Sequence, residues 1–295
     1  MTVEPPVVVG VDGSEAGLRA VDWAVDEAAL RGAPLRLVYA SLWERYEGAH
    51  LARDLGEPGG RVRAEDVVAS AARRAAGRRS EVKVTTAVVS EEPEYTLVRE
   101  SRNAALLVTG TRGRGGMAEA LLGSVSLTVA GHAHCPVVVV RGSHDNRAVP
   151  ATHGRVVVGV GEPPVASAAV RFAVEEARLR GAAVSAVRAW RHPVREASGH
   201  RAPDSVRGGS GRSYEREAVE ALAKALRDVP ADVEVLRSTV EGPARSALVD
   251  ASHDAGLLVL GARRRHRHFG LQLGRVAHGV LHHSACPVAV VPEYV

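Results

Sequence analysis

The sequence predicts an α/β protein built as two tandem copies of a five-stranded parallel sheet with helices on both faces. Three observations carry this. First, the 295-residue chain repeats itself: "VVVGVDGSEAGLRAVDWAVDEAALRGA" from Val7 matches "VVVGVGEPPVASAAVRFAVEEARLRGA" from Val156, an offset of 149. Three later pairs, starting at Glu81 and Asp232, Asn103 and Asp254, and Cys135 and Cys286, share an offset of 151. Second, apolar runs without polar alternation, the mark of strands covered on both faces, alternate with helical stretches in each copy. Third, a period near 150 residues is a whole domain, too long for a solenoid repeat. The domains are placed at 1–145 and 150–295, joined by the polar segment "GSHDNRAVPATHG" from Gly142 to Gly154.

The elements of the first copy follow in order. Val7 to Val11 reads as a buried strand. A helix is expected from Glu15 to Arg31, with Ser14 as N-cap and Gly32 as stop. Leu35 to Ala40 is the second strand, and a long polar loop leads to a helix over Ala64 to Arg78. Val82 to Val89 is the third strand, Pro93 to Asn103 a helix, and Ala105 to Thr109 the fourth strand. A glycine-rich stretch, "GTRGRGGMAEALLGSVS" from Gly110, opens a helix at Ser124 that runs to Ala133, and "CPVVVV" closes the copy.

Composition excludes several classes. Apolar content of 45% and charge of 24% are ordinary for a globular protein. Only Lys83 and Lys224 are lysines, so 36 of the 38 basic residues are Arg, and they are interleaved with Asp and Glu rather than clustered. Nucleic-acid binding is therefore not expected. Two cysteines, Cys135 and Cys286, exclude a disulfide framework and read as small buried residues. No apolar run reaches the roughly 18 residues of a membrane span, and the start lacks the pattern of a secretion signal, so a cytoplasmic location is expected. His278 and His282 stand one turn apart on an expected helix, but without the intervening Glu of a metalloprotease pattern, so no metal site is assigned.

In an open parallel sheet a ligand lies beyond the carboxyl ends of the strands, where the strand order reverses. That points to Asp12, Gly13 and Ser14, to Ala40, and to Thr109 with the loop that follows it. The loop suits phosphate. Its glycines let the backbone approach and turn N–H groups inward. Gly123 and Ser124 stand where a helix begins, so uncapped N–H groups and the helix dipole favour an anion. Arg112 and Arg114 add forked cationic donors. The Gly-Lys-Ser/Thr of a Walker loop is missing, and the dinucleotide glycine fingerprint is absent from the first strand–helix turn.

Gly110-x2-Gly113-x9-Gly123-Ser124, together with "VVVGVDGSEAG" and "HCPVVVVR", resembles the universal stress protein family, and the resemblance covers the whole chain twice, in the tandem form found in actinobacteria. The resemblance implies a Rossmann-like, adenine nucleotide alpha-hydrolase-like fold and an ATP site, with or without Mg. It implies that Asp12 bonds the adenosine, that the Ala40 backbone contacts adenine, and that Gly110, Arg112, Gly113, Gly123, Ser124, Val125 and Ser126 contact phosphate and ribose. Read from the residues alone, Asp12 at the switch point is a sensible hydroxyl or amine acceptor, with a turn former or N-cap contributor as the alternative. The resemblance further implies pairing through the last strand, within the chain or between chains, and a stress-response regulator acting on a protein partner.

The second copy departs from the pattern. Asp12 becomes Gly161, the second signature glycine becomes Arg264, and Ser124 becomes Arg275. The second copy is therefore expected to lack the ATP site and to pack against the first. Near the loop only Glu119 and Asp12 are available as catalytic groups, so at most weak ATP hydrolysis is expected. The alternatives are a nucleotide-independent dimeric scaffold and an ATP-dependent adenylating enzyme.

Overall fold

A computed structural model of the chain describes residues 4–42, 60–111, 122–141, 154–161, 168–191, 204–264 and 273–294. The first half runs β1 (Val7–Gly10), α1 (Glu15–Arg31), β2 (Leu35–Ala40), α2 (Gly60–Arg78), β3 (Val84–Val89), α3 (Pro93–Glu100), β4 (Leu106–Gly110), α4 (Ser124–His132) and β5 (Val137–Val140). The second runs β6 (Arg155–Gly159), α5 (Ala168–Arg180), β7 (Ala183–Trp190), α6 (Asp204–Ala225), β8 (Val235–Glu241), α7 (Ala244–Ala251), β9 (Leu257–Arg264), α8 (Arg275–His283) and β10 (Val288–Tyr294). A 3-10 turn follows α3 at Ser101–Asn103 and α7 at Ser252–Asp254.

Local chemistry explains the boundaries. At the start of α1 the Ser14 hydroxyl accepts from Gly17 N at 3.1 Å, satisfying one orphan donor. The helix ends at Gly32, whose φ of 62° is a left-handed conformation that glycine adopts at little cost. Pro93 opens α3 at a position where no N–H is required.

The two halves form one sheet of ten strands, ordered β3-β2-β1-β4-β5-β10-β9-β6-β7-β8. Within each half every pairing is parallel, while β5 and β10 pair antiparallel, with Val139 opposite Val288 and Val137 opposite Val290. The expected pairing through the last strands is thus made within one chain. Alternation along the strands splits the core into two layers. One layer runs the length of the sheet as a continuous apolar cluster that includes Val7 and Val9, Trp23 and Ala24 of α1, Val68 and Ala71 of α2, Val170 and Phe172 of α5, and Leu222 of α6. Val8 belongs to a second cluster on the opposite face, with Leu97 of α3, Val129 of α4, Leu248 of α7 and Leu281 of α8. Both faces of the central strands are covered, so their valines carry no polar alternation. Each such side chain stabilises the fold by about 1.5–3 kcal/mol on burial. Cys135 and Cys286 are buried and unbridged, and burial pushes the Cys286 thiol up to about 11.

A second contact joins the halves where α1 meets α5. Glu27 and Glu176, both fully buried, lie between Arg31 and Arg180. Arg31 donates to Glu27 at 2.6 Å and also to Glu176. Arg180 donates to Glu27 at 2.5 Å and also to Glu176. Arg31 lies over the Phe172 ring and Arg180 over the Trp23 ring, each guanidinium 5.7 Å from the centroid. Glu27 and Glu176, Arg31 and Arg180, and Trp23 and Phe172 are all related by the offset of 149. The cluster is therefore a pseudo-twofold contact built from matching residues of the two copies. At the β5–β10 seam, the buried Arg141 crosses to the Leu281 carbonyl at the end of α8, and burial lowers its pKa.

Candidate nucleotide site

In the first half the order β3-β2-β1-β4-β5 reverses direction between β1 and β4, the switch point at whose carboxyl ends such sheets form a ligand crevice. Asp12 leaves β1 there. Its Oδ1 accepts from Ser14 N at 3.0 Å and from the Ser14 hydroxyl at 2.7 Å, and Ser14 in turn caps α1. Gly13 takes a φ of 80° to make this turn. Gly17 completes it: a Cβ at this position would lie 2.7 Å from Asp12 Oδ1. The turn thus fixes the carboxylate at the mouth of the crevice, and the turn-forming reading of Asp12 holds for Oδ1.

Across the crevice, β4 ends at Gly110. A Cβ there would lie 2.6 Å from the Ala16 carbonyl oxygen and 2.7 Å from its carbon, which are backbone atoms that cannot swing away. Only glycine lets the first turn of α1 sit this close to the strand end. The Gly110 carbonyl accepts from the Ser126 hydroxyl at 2.7 Å, tying β4 to the first turn of α4. Gly123 donates its N–H to the Thr111 carbonyl at 2.7 Å, which closes the loop at its base. Gly123 is the N-cap of α4, and the helix has no side-chain cap. The N–H groups of its first turn are therefore available to an anion. Thr109, only 4% exposed, carries a hydroxyl without a hydrogen-bond partner.

The sequence expectations sort as follows. Asp12, Gly13 and Ser14 lie together after β1, Thr109 and Gly110 at the end of β4, and Gly123, Ser124, Val125 and Ser126 at the start of α4. Ala40 ends β2, beside the β1 end, and pairs with Val89. Arg112 and Gly113, with Arg114 and Glu119, lie outside the described residues. Ser124 is the first helical residue and leaves capping to Gly123. Its hydroxyl instead reaches Glu94 Oε1 of α3 at 3.4 Å. The buried Ser126 spends its hydroxyl on Gly110. Sequence reading missed Glu94 and Gly17. Gly17 carried a faint signal, a glycine inside a helical run just after a capping Ser.

The second half differs in backbone as well as in sequence. β9 continues past Gly261 to Arg264, and β10 continues beside it, pairing Pro292 with Ala262, Glu293 with Arg263 and Tyr294 with Arg264. In the first half β4 stops at Gly110 and its pairing with β5 ends at Val140. The segment matching the start of the glycine loop is therefore strand, and its backbone is engaged in a ladder rather than turned towards a ligand. A Cβ on Gly261 would lie 2.7 Å from the Glu293 carboxylate, so an acidic group stands where Gly110 meets the α1 backbone. Gly161 replaces Asp12, and its carbonyl accepts from Arg188. Arg275 opens α8 in the place of Ser124.

Comparison with known proteins agrees with this architecture. The profile of the universal stress protein family matches residues 5–141 and 152–292. A universal stress protein of Mycobacterium tuberculosis is 34% identical over 301 residues, covering 97% of each chain. Another from the same organism is 39% identical over 206 residues, 69% of each chain. The crystal structure of a universal stress protein from Archaeoglobus fulgidus superposes with a TM-score of 0.68 at 19% identity, covering 97% of this chain and 98% of that one, and supports the fold alone. With both halves matched and full-length relatives above 30% identity, the chain belongs to the universal stress protein family.

Proposed function

We propose that the chain is a nucleotide-binding regulator of the stress response whose first half holds one ATP and whose second half holds none. The observation that carries this reading is the pairing of Gly110, where no Cβ fits, with an α4 N-terminus that has no side-chain cap, at the switch point facing Asp12. The residues present fit the nucleotide. Asp12 would accept from the adenosine, the Ala40 backbone would meet adenine, and Gly110, Arg112, Gly113 and the first turn of α4 would hold the phosphates. Glu94 and the Ser124 hydroxyl would supply hard oxygen donors for a Mg ion accompanying the phosphates. The nucleotide would act by ordering the Gly110 loop and changing contacts with a cytoplasmic protein partner. Turnover is at most weak.

The test is to purify the chain without added nucleotide, denature it and identify any released adenine nucleotide. Ser124→Glu places a carboxylate at the helix N-terminus, which the helix dipole tolerates, so the fold survives while phosphate is repelled. The reading expects nucleotide with the parent chain and none with the variant. Nucleotide retained by Ser124→Glu would move the site elsewhere. A nucleotide-independent scaffold is the second reading, favoured by the α1–α5 ion cluster and the β5–β10 seam. It expects identical partner binding with and without ATP. A homodimer through further surfaces and an adenylating activity lack a comparable observation.

A further inference from the structure

Strand β10 changes partners along its length. Val288, Ala289 and Val290 pair with β5 on one side and β9 on the other. Residues 292–294 pair with β9 alone. Carried on, the antiparallel register would set Val291 opposite Pro136 and Pro292 opposite Cys135, but β5 begins only at Val137. Leu258 N–H donates to the Pro287 carbonyl at 3.0 Å, and alternate residues of a parallel strand face the same neighbour. Ala262 and Arg264 therefore also turn their N–H groups to β10, and Glu293 turns its N–H to the Ala262 carbonyl. The Pro292 nitrogen faces away from β9, where a strand needs no donor. In the first half the matching carbonyl, that of Thr111, accepts from Gly123 N at 2.7 Å and closes the base of the glycine loop. Gly274 is the counterpart of Gly123, and among the described residues it makes no such bond to Ala262. The tail of β10 has taken the acceptor that the loop base would use. It also brings the Glu293 carboxylate against Gly261, with Oε1 buried and without a hydrogen-bond partner among the described residues. An unsatisfied buried oxygen is a standing cost of the seated tail.

We propose that residues 292–294 are an autoinhibitory strap: seated along β9 it keeps a phosphate-type anion out of the second half's switch point, and released it lets Gly274 close the loop base on Ala262. The proposal rests on the reading of the Gly110 loop in the first half as a phosphate site. The strap acts in two ways. Its ladder holds the segment from Ala262 to Arg264 extended, so the N–H groups of Ala262 and Arg264 face β10 rather than a ligand. Its carboxylate sets a negative charge beside Gly261, which repels an anion there. Release reverses the balance of charge. Arg263 and Arg264 belong to the freed segment, and Arg275 opens α8 in the place of Ser124. Guanidiniums suit phosphate oxygens. The strap can leave without disturbing the seam, because the β5 pairs end at Val290.

The experiment follows backbone hydrogen exchange by NMR on the full chain and tripolyphosphate uptake by equilibrium dialysis. In the parent, the Ala262 and Arg264 amides should exchange by local opening, at least about tenfold faster than those of Leu258 and Leu260 on the same strand. Glu293→Pro removes the strap's donor and its carboxylate together, and truncation after Val291 removes the strap. Both should lose protection at Ala262 and Arg264, keep it at Leu258 and Leu260, and take up one tripolyphosphate more than the parent. Ala262 and Arg264 amides as slow as those of Leu258 and Leu260 in the parent would overturn the proposal. So would variants that expose these amides yet take up no more tripolyphosphate than the parent. The exchange arm uses no nucleotide, so a failure of the ATP reading appears separately, as absent ATP uptake by the parent.

Discussion

Replacing Arg180 by Met should destabilise the chain through the contact between its halves. Arg180 donates to both Glu27 and Glu176, whose side chains are fully buried, and lies over the Trp23 ring. Met keeps most of the apolar stem but removes the charge. Two buried carboxylates are then left to share Arg31. Breaking a buried ion pair by removing one partner costs about 3–5 kcal/mol. For a chain of this size a kcal/mol is worth roughly 2 °C in the melting temperature, so the midpoint should fall by about 6–10 °C. The companion variant adds Glu27→Gln and Glu176→Gln to Arg180→Met. With the stranded charges gone, much of the loss should return, because neutral replacement of buried charges is often close to neutral in stability. Thermal unfolding followed by circular dichroism provides the assay. A drop of less than about 2 °C for the single variant, below the range that a broken buried pair implies, would refute the claim that the cluster is buried and shared. So would a triple variant that melts lower than the single one.

Three further outcomes follow from the geometry. The buried carboxyls differ although they share two guanidiniums: burial and the Glu27 charge push Glu176 up to about 7, whereas at Glu27 the Arg180 and Arg31 charges outweigh burial and lower its pKa. Because Glu176 binds its proton more tightly folded than unfolded, its contribution is complete below the ordinary carboxyl value and is lost as pH rises through about 7. Glu176→Gln should flatten the corresponding fall in melting temperature between pH 5 and 8; an unchanged slope would exclude Glu176 as its source. Gly110→Ala drives a methyl into the Ala16 carbonyl and should cost about 1–3 kcal/mol in urea unfolding, a typical overpacking penalty. Ser14→Ala removes the α1 cap and should cost about 1 kcal/mol, with a larger effect on nucleotide retention than on stability because the same hydroxyl holds Asp12.

Much of the fold was legible because its signals are local. Helix α1 was read as Glu15 to Arg31 and β2 as Leu35 to Ala40, and both have those bounds, since a capping Ser, a stopping Gly and an unbroken apolar run specify them. The helix read from Pro93 to Asn103 ends at Glu100 and passes into a 3-10 turn, where the Ser101 hydroxyl bonds back to the Val98 carbonyl. The closing strand begins at Val137, two residues after the Cys135 at which it was expected, because Pro136 has no N–H for a ladder. The extension of β9 was not legible. "GARRR" matches "GTRGR" in position and looks like a damaged loop, and only the tail from Pro292 to Tyr294, distant in sequence, makes it a strand. The ion cluster was hidden too. Glu27 with Arg31 and Glu176 with Arg180 have the spacing of ordinary exposed helix pairs. Their burial arises only when the two copies meet about the pseudo-twofold axis. Recurrence of the same Glu and Arg at an offset of 149 was the one available hint.

At the site, the position after each strand was read from topology, while the division of labour was not. Ser124 and Ser126 are equivalent in sequence, yet one hydroxyl points to Glu94 and the other is consumed by the Gly110 carbonyl. Which hydroxyl remains for a ligand depends on the angle at which α4 leaves the loop, and no local pattern encodes that angle.

The most direct test of one site per chain is the binding stoichiometry of ATP on nucleotide-stripped protein, measured by isothermal titration calorimetry. The account expects one ATP per chain, lost with Ser124→Glu and unaffected by Arg275→Ala in the second half. Two ATP per chain, or one that survives Ser124→Glu, would contradict it.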